Sequence, residues 1–302
     1  MYSIGIDIGG MSAKVGVVED SRLPQSPMLQ ATYTIPTNHR TEYEVFLSDI
    51  CHVIERIISE SGKENLKMIG ISSFGLIDTH KGKIIFSNNV NWENVNIVSD
   101  ISSRFQVPVK IANDAKCALL AEAVIGSGKD YDRVCMLTIG TGVGGGFLTG
   151  KKLDGGTPHS DAAGILGHMS MITGGKQCTC GRKGCLEAYA SSTAIMSLYK
   201  EKTGHEISTK EIFDRIRMGE KEATEVGLEF RYYLGEGLVN IANILRPEVI
   251  VIGGGVSKSA DVFMEYLQER VNREAYAGAA VPVQITVATL GNEAGMIGAT
   301  LL

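Results

Sequence analysis

The sequence predicts an α/β fold of two lobes that repeat one strand–turn–strand device. Three observations predict it. Short buried strands alternate with amphipathic helices, which implies a sheet with parallel pairs. Residues 3–18 and 134–148 each pair an apolar strand with a return strand across a glycine turn. Glycine accounts for 36 of 302 residues, about 12% against a usual 7%, and gathers at strand ends.

The elements follow in order. Ser3-Ile4-Gly5-Ile6-Asp7-Ile8 reads as a buried strand, Gly9-Gly10 as a turn and Lys14-Val15-Gly16-Val17-Val18 as the return. A third strand spans 29–35 and stops at Pro36. Phe46, Ile50, Val53, Ile54 and Ile57 give 42–59 a helical stripe. Strand 68–72, helix 97–105 and strand 107–112 follow. Asn113 reads as an N-cap, with Asp114 opening a helix to about residue 125. The second device is strand 134–139, turn Gly140-Thr141-Gly142 and strand 144–148. Residues 155–184 are a long loop rich in Gly, Thr and Ser. A helix is expected over 187–199 and a longer one over 222–245, which Pro247 ends. Val249-Ile250-Val251-Ile252 is a buried strand leading into Gly253-Gly254-Gly255, 283–287 is the last strand, and helix 293–301 returns to the first lobe. The expected lobes are therefore 1–112 with 291–302, and 113–290.

The 29 Lys and Arg against 34 Asp and Glu leave a net charge of −5. That balance opposes a non-specific nucleic-acid or membrane-surface binder, which needs a basic face. A hydrophobic content of 44% excludes global disorder. The six cysteines are not spread like a disulfide framework, no leader pattern opens the chain, and no apolar run approaches the roughly 20 residues of a membrane span. A cytoplasmic protein is the expectation.

Asp7-Ile8-Gly9-Gly10, Gly140-Thr141-Gly142 with Gly144 to Gly146, and Gly253-Gly254-Gly255 are three strand-end glycine clusters. Backbone N–H groups cradle phosphate only where side chains do not block them. One such cluster is commonly structural; three, one carrying a carboxylate, point to nucleotide binding. None fits the P-loop or G-x-G-x-x-G pattern. His168, Cys178, Cys180 and Cys185 offer four N/S donors suited to a closed, structural Zn²⁺ site; a buried thiol set or a redox pair are the other readings. Asp114 is an ordinary helix-start acid on position alone, and a candidate base if phosphate loops face it. Trp92 with Asn88, Asn89 and Asn91 reads as a sugar-lining group or as core. His39, His52, His80, His159 and His205 read as surface or loop residues, and Cys51, Cys117 and Cys135 as packing residues.

Together these residues resemble the ROK family of the actin-like ATPase superfamily over nearly the whole chain. The most specific stretch is Gly167-His168 with Cys178-Thr179-Cys180-Gly181-Arg182-Lys183-Gly184-Cys185-Leu186-Glu187, similar to the family's zinc signature. Asn113-Asp114-Ala115 resembles the catalytic segment, residues 140–146 the second phosphate loop and 253–255 the adenosine segment. The resemblance implies two ribonuclease-H-like lobes around an interlobe cleft. It implies transfer of the ATP γ-phosphoryl group to a sugar hydroxyl, usually O6 of a hexose. Asp114 would be the general base, and Asp7 would help hold Mg²⁺ through water. Gly9, Gly10, Ser12 and Lys14 would serve the first phosphate loop. Gly75, Asn89, Asn113, His168 and Glu187 would line the sugar. His168, Cys178, Cys180 and Cys185 would bind Zn²⁺. Relatives are commonly homodimers, often paired again.

Two departures stand out. Met11 replaces the usual Thr of the first loop, with Ser12 as the nearest hydroxyl. Ile165 replaces the Glu that in relatives accepts hydrogen bonds from hydroxyls at C1 and C2; an unpartnered buried hydroxyl costs about 1–3 kcal/mol. One expectation is a sugar substituted at C1, such as a β-glucoside, packed on Ile165. The other is a hexose or N-acetylhexosamine (glucokinase or N-acetylmannosamine kinase chemistry), with Glu187, His168 and water covering the loss. A sugar-sensing regulator is the non-enzyme alternative, although the first strand begins too early for a DNA-reading head and the charge is wrong for one.

Overall fold

The structure is a computed structural model, and it describes residues 1–19, 29–87, 90–153 and 163–302. They form two units, Met1–Ile125 with Asn292–Leu302, and Gly126–Lys152 with Ile165–Gly291.

The first unit holds β1 (Tyr2–Ile8), β2 (Ser12–Glu19), β3 (Leu29–Pro36), α1 (Tyr43–Ser61), β4 (Leu66–Ser73), β5 (Leu76–Asp78), β6 (Lys83–Ser87), β7 (Trp92–Val95), α2 (Ile97–Phe105), β8 (Val109–Asn113) and α3 (Asp114–Val124). The main sheet runs β3-β2-β1-β4-β8. β1 and β2 form the expected antiparallel hairpin, and β4 and β8 add in parallel. β1 lies in the middle of the sheet, which is why it is buried on both faces, with Tyr2, Ile4, Ile6 and Ile8 on one and Ser3, Gly5 and the half-buried Asp7 on the other. Phe46, Ile50, Ile54 and Ile57 of α1 are buried in one cluster with Ile4, Ile6, Ile69 and Ile71. Each such burial stabilises by about 1.5–3 kcal/mol. Trp92 belongs to this core: it meets Tyr43 and Phe46 at 5.4 and 4.8 Å, and its indole N–H donates to the Thr41 carbonyl at 2.9 Å. The core reading of Trp92 therefore holds. The small antiparallel sheet β5-β6-β7 was not anticipated.

Asn113 caps α3 as expected, accepting from the Ala115 N–H at 3.1 Å. The lobe boundary expected at Ala112 is corrected to Ile125, because α3 is buried from Ala115 to Ala123 and packs within the first unit. Its neighbour there is the helix at residues 294–299. A Cβ at Gly298 would run into the Cys117 carbonyl of α3, and one at Gly5 would come within 2.8 Å of Met296 Cγ.

The second unit holds β9 (Arg133–Ile139), β10 (Val143–Thr149), β11 (Lys152–Leu153), α4 (Glu187–Ala190), α5 (Ser192–Thr203), α6 (Thr209–Arg217), α7 (Lys221–Leu245), β12 (Val249–Gly253), α8 (Met264–Glu274) and β13 (Gln284–Val287); α9 (Ala294–Ala299) returns to the first unit. Its sheet runs β11-β10-β9-β12-β13, again an antiparallel hairpin extended by two parallel strands. The duplicated device is thus a duplicated sheet order. The helix expected over 187–199 is two helices, because Ser191 turns extended and accepts the Ala194 N–H at 3.0 Å as a new N-cap. α6 and α8 escaped the sequence reading. Both are mostly polar, with only Ile212 and Phe213 buried in α6, and Leu267, Arg270 and Val271 in α8. Residues 154–162 of the long loop, including His159, lie outside the described residues. Cys51, Cys117 and Cys135 are buried packing residues, and His39, His52, His80 and His205 are exposed.

Gly298→Val should lower stability by about 1–3 kcal/mol through overpacking against α3, read as a fall in the denaturant midpoint at unchanged slope.

Candidate functional site

Ligands of open α/β sheets collect at the carboxyl ends of parallel strands, where backbone groups leave the ladder and loops begin. In the first unit β1, β4 and β8 end side by side, with Asp7 opposite Ser72 and Ser73 opposite Asn113. The Ser72 hydroxyl donates to Asp7 Oδ1 at 2.6 Å. Gly295 of α9 approaches so closely that a Cβ there would lie 2.8 Å from the same oxygen. Burial pushes the Asp7 carboxyl above its ordinary range, against the Ser72 hydrogen bond and the charge of Lys14, its cross-strand neighbour on β2. In the first loop the Gly9 N–H donates to the Ser12 carbonyl at 3.0 Å, and the Thr37 hydroxyl donates to the Gly9 carbonyl at 2.6 Å. Gly10 and Ser12 are half-buried beside it, and Met11 is 88% exposed.

Asp114 opens α3 from the end of β8 and accepts the Ala115 N–H at 2.8 Å. Its side chain reaches solvent while protein crowds around it. That desolvation raises its pKa first, and the charge of Asp7 adds in the same direction; hydrogen bonds from the Ala115 backbone and the Asn113 side chain oppose both. Two carboxylates of raised proton affinity thus share this edge, and Asp7 adds to the rise at Asp114. Gly75 follows β4 with φ +92°, and a Cβ there would meet the Phe86 carbonyl. Asn89 lies outside the described residues.

In the second unit, the Gly140 N–H donates to the Gly142 carbonyl at 2.9 Å, closing the turn between β9 and β10. The Ser192 N–H and Thr193 hydroxyl hold the Gly140 and Thr141 carbonyls, each at 2.8 Å. Gly254 has φ +82° and packs on the Ile139 backbone, while Gly253 ends β12. Around Gly140 and Gly255 nothing would meet a Cβ within 4 Å. These two glycines line one groove of about 520 Å³ together with Thr141, Phe213, Arg217 and Lys258. The second and third glycine clusters are therefore brought to one cavity. Its wall from α6 was not legible, because Arg217 there reads as an ordinary surface cation; it pairs with Asp261 and Asp214.

Ile165 is 41% exposed and leads into a short turn, Leu166–His168. Gly167 lies against the Val143 carbonyl with no room for a side chain. His168, Cys178, Cys180 and Cys185 converge, their donor atoms all within 4.8 Å of one another. Cys180 Sγ to Cys185 Sγ is 3.7 Å, and Cys178 Sγ to His168 Nδ1 is 3.5 Å. A tetrahedral Zn²⁺ at ordinary bond lengths sets these edges at about 3.8 and about 3.6 Å. The donors fit such an ion in number, type and spacing. Two of the three thiols are buried, and burial pushes Cys178 up to about 12. Glu187 joins this knuckle to the phosphate-type loop: Oε2 accepts the Val143 N–H at 3.0 Å, and Oε1 accepts the Thr179 hydroxyl at 2.5 Å. Thr179, Ser72 and Thr37 were missed from sequence, since hydroxyls carry no pattern until their partners are known.

Two five-stranded sheets of one order, each with a glycine turn inside its hairpin, define the duplicated α/β class of the actin-like ATPases. Within that class the chain belongs to the ROK family, whose model matches residues 3–302. A glucokinase of Halalkalibacterium halodurans is 31% identical over 98% of this chain and 93% of its own. An N-acetyl-D-glucosamine kinase of Salmonella newport is 31% identical over 99% and 98%. A xylose repressor of Bacillus spizizenii is 29% identical over 98% of this chain and 75% of the repressor. Among solved structures, a ROK hexokinase of Thermus thermophilus superposes with a TM-score of 0.86 at 30% identity, covering 100% of this chain and 97% of that one. A ROK glucokinase of Streptomyces griseus in complex with glucose and AMPPNP gives 0.82 at 27%, covering 99% and 98%. No helix among the described residues is long and apolar enough to cross a membrane.

The raised pKa of Asp114 has a stability sign. The folded state holds this proton more tightly than the unfolded one, so folding loses stability as pH rises from the unfolded pKa through the folded one. The loss is complete above both values and absent below both. Asp114→Asn should therefore raise the melting temperature at pH 7, and thermal scans near pH 3 should show no gain.

Proposed function

We propose that this chain is an ATP-dependent sugar kinase that transfers the γ-phosphoryl group to a hexose-type hydroxyl, O6 by preference. The observation that carries the reading is Asp114: a carboxylate at a helix N-terminus on the carboxyl edge of parallel strands, beside Asp7, with its proton affinity raised by its surroundings. The kinase relatives at about 30% identity support it.

In this reading the sugar hydroxyl oxygen attacks the γ-phosphorus, and Asp114 accepts the proton released. The bond from the γ-phosphorus to the β–γ bridging oxygen breaks, and ADP leaves with that electron pair. Little covalent chemistry is asked of the protein, so positioning and charge carry the rate. Asp7, tied to Ser72, would hold Mg²⁺ through water; the ion, when bound, neutralises charge on the β- and γ-phosphates. Gly9, Gly10, Ser12 and Lys14 serve one phosphate loop and Gly140, Thr141 and Gly142 the other. Gly253, Gly254 and Gly255 serve the nucleoside. Gly75, Asn89, Asn113, Ile165, His168 and Glu187 line the sugar. His168, Cys178, Cys180 and Cys185 would hold a structural Zn²⁺ that fixes the loop from Ile165 to Glu187 and leaves no open position for water.

The exposed Ile165 favours an acceptor with an apolar or bulky substituent at C1, because it accepts no hydrogen bond. ADP release with glucose, N-acetylmannosamine and cellobiose tests this directly. Cellobiose is expected to be fastest, and glucose clearly fastest would overturn the C1 preference. The likeness to a xylose repressor supports a sensor as the second reading, for which no sugar would stimulate ADP release.

Asp114→Asn should lower kcat by about 10²–10⁴-fold with sugar and nucleotide binding retained by calorimetry. Full turnover in that variant would sink the kinase assignment as drawn. Elemental analysis should find about one zinc per chain, lost in Cys185→Ser together with sugar affinity.

A further inference from the structure

Glu187 is engaged at both carboxylate oxygens. Oε2 takes the N–H of Val143, the residue after Gly142, and no Cβ fits at Gly142 because that oxygen occupies the place. Oε1 takes the Thr179 hydroxyl at 2.5 Å and lies 3.5 Å from Cys178 Sγ. A thiol at Cys178 could share this oxygen, but a metal-bound thiolate has no proton to give and repels it. With the knuckle loaded, Thr179 is then the one donor to Oε1 among the described residues. The other end of the connection is equally fixed. Val143 begins β10, and the turn before it is held by Ser192 and Thr193 at the lip of the groove that Gly140 and Thr141 line. The chain of contacts Thr179–Glu187–Val143 therefore runs from the Cys/His knuckle to the glycine turn, inside one unit.

We propose that Thr179 is a positioning residue, and that through Glu187 it couples the acceptor sugar to the donor nucleotide. The proposal rests on the sugar-kinase reading for the identity of the two ligands. Glu187 is half-buried, and its remaining lone pairs accept sugar hydroxyls only while both of its oxygens stay oriented. Nucleotide phosphates that settle on the N–H groups of the glycine turn move or stiffen the Val143 N–H, and so alter the carboxylate the sugar meets. With Ile165 unable to accept, Glu187 carries more of the sugar's hydrogen bonding, so the coupling falls on this one side chain.

The test measures binding of glucose and of cellobiose by calorimetry, with and without AMPPNP, in the full zinc-loaded chain. In the wild type the nucleotide analogue should tighten the better-bound sugar about fivefold or more, and by reciprocity the sugar should tighten AMPPNP equally. Thr179→Val should bring that factor close to one, with AMPPNP affinity in the absence of sugar and zinc content both unchanged. Thr179→Ser, which keeps the hydroxyl, should restore it. Wild-type coupling in Thr179→Val overturns the proposal, as does failure of Thr179→Ser to restore what Thr179→Val loses. Zinc loss in Thr179→Val, or no sugar binding or no coupling in the wild type, overturns it as well. Coupled binding in a wild-type protein that releases no ADP with any sugar would sink the kinase reading while leaving this connection standing.

Discussion

The first unit depends on one tight constraint, the approach of α9 to its sheet. Gly5 and Gly70 on the strands face Met296 and Ala299 with no space for a side chain, and Gly298 meets α3 in the same way. Removing Cβ atoms lets backbone lie on backbone, which maximises contact per residue but tolerates no added volume. Gly295 extends the same contact to Asp7. The position of one carboxylate, the burial that raises its pKa and the seating of the helix that starts at Asp114 thus share a single packing arrangement.

The second unit solves a similar problem with polar atoms. Its loop from Ile165 to Glu187 has little regular structure, a short turn at Leu166–His168 and the antiparallel bridges Ser170 to Cys185 and Gln177 to Lys183, and α4 follows it. Ordering such a segment costs about 1–2 kcal/mol per residue in backbone freedom. His168, Cys178, Cys180 and Cys185 converge as donors for an ion whose binding would offset this, and Glu187 ties the loop to the turn before β10. The two units therefore present carboxylates of different character. Asp7 and Asp114 are held with raised proton affinity, whereas Glu187 is oriented by one neutral donor at each oxygen.

Much of this was legible in the residues. Both hairpins, the parallel strands and the cap at Asn113 follow from apolar runs, glycine turns and a well-placed Asn, since these are local signals. The Cys/His set was legible because metal ligands are few and chemically distinctive. Other features depend on partners distant in sequence. α3 looked like the start of the second lobe until α9 closed on it, 180 residues later in the numbering from Asp114 to Ala294. Ser191 looked like helix interior, because a Ser reads alike there and at a cap. The helices α6 and α8 are short and mostly polar, so their apolar stripes at Ile212, Phe213 and Ile216 and at Met264, Leu267 and Val271 were passed over, and the hydroxyls of Ser72 and Thr179 became meaningful only with Asp7 and Glu187 beside them.

The return of α9 also sets an order of events during synthesis. A ribosome adds about 5–20 residues per second, and residues 292–302 emerge after every residue of the second unit. The nascent first unit must wait with Gly5 and Gly70 uncovered, while Gly126–Lys152 and Ile165–Gly291 already have all of their own strands and helices. Vectorial folding is thereby reversed for this chain: the half made first matures last, and Asp7 acquires its final surroundings only when Gly295 has arrived.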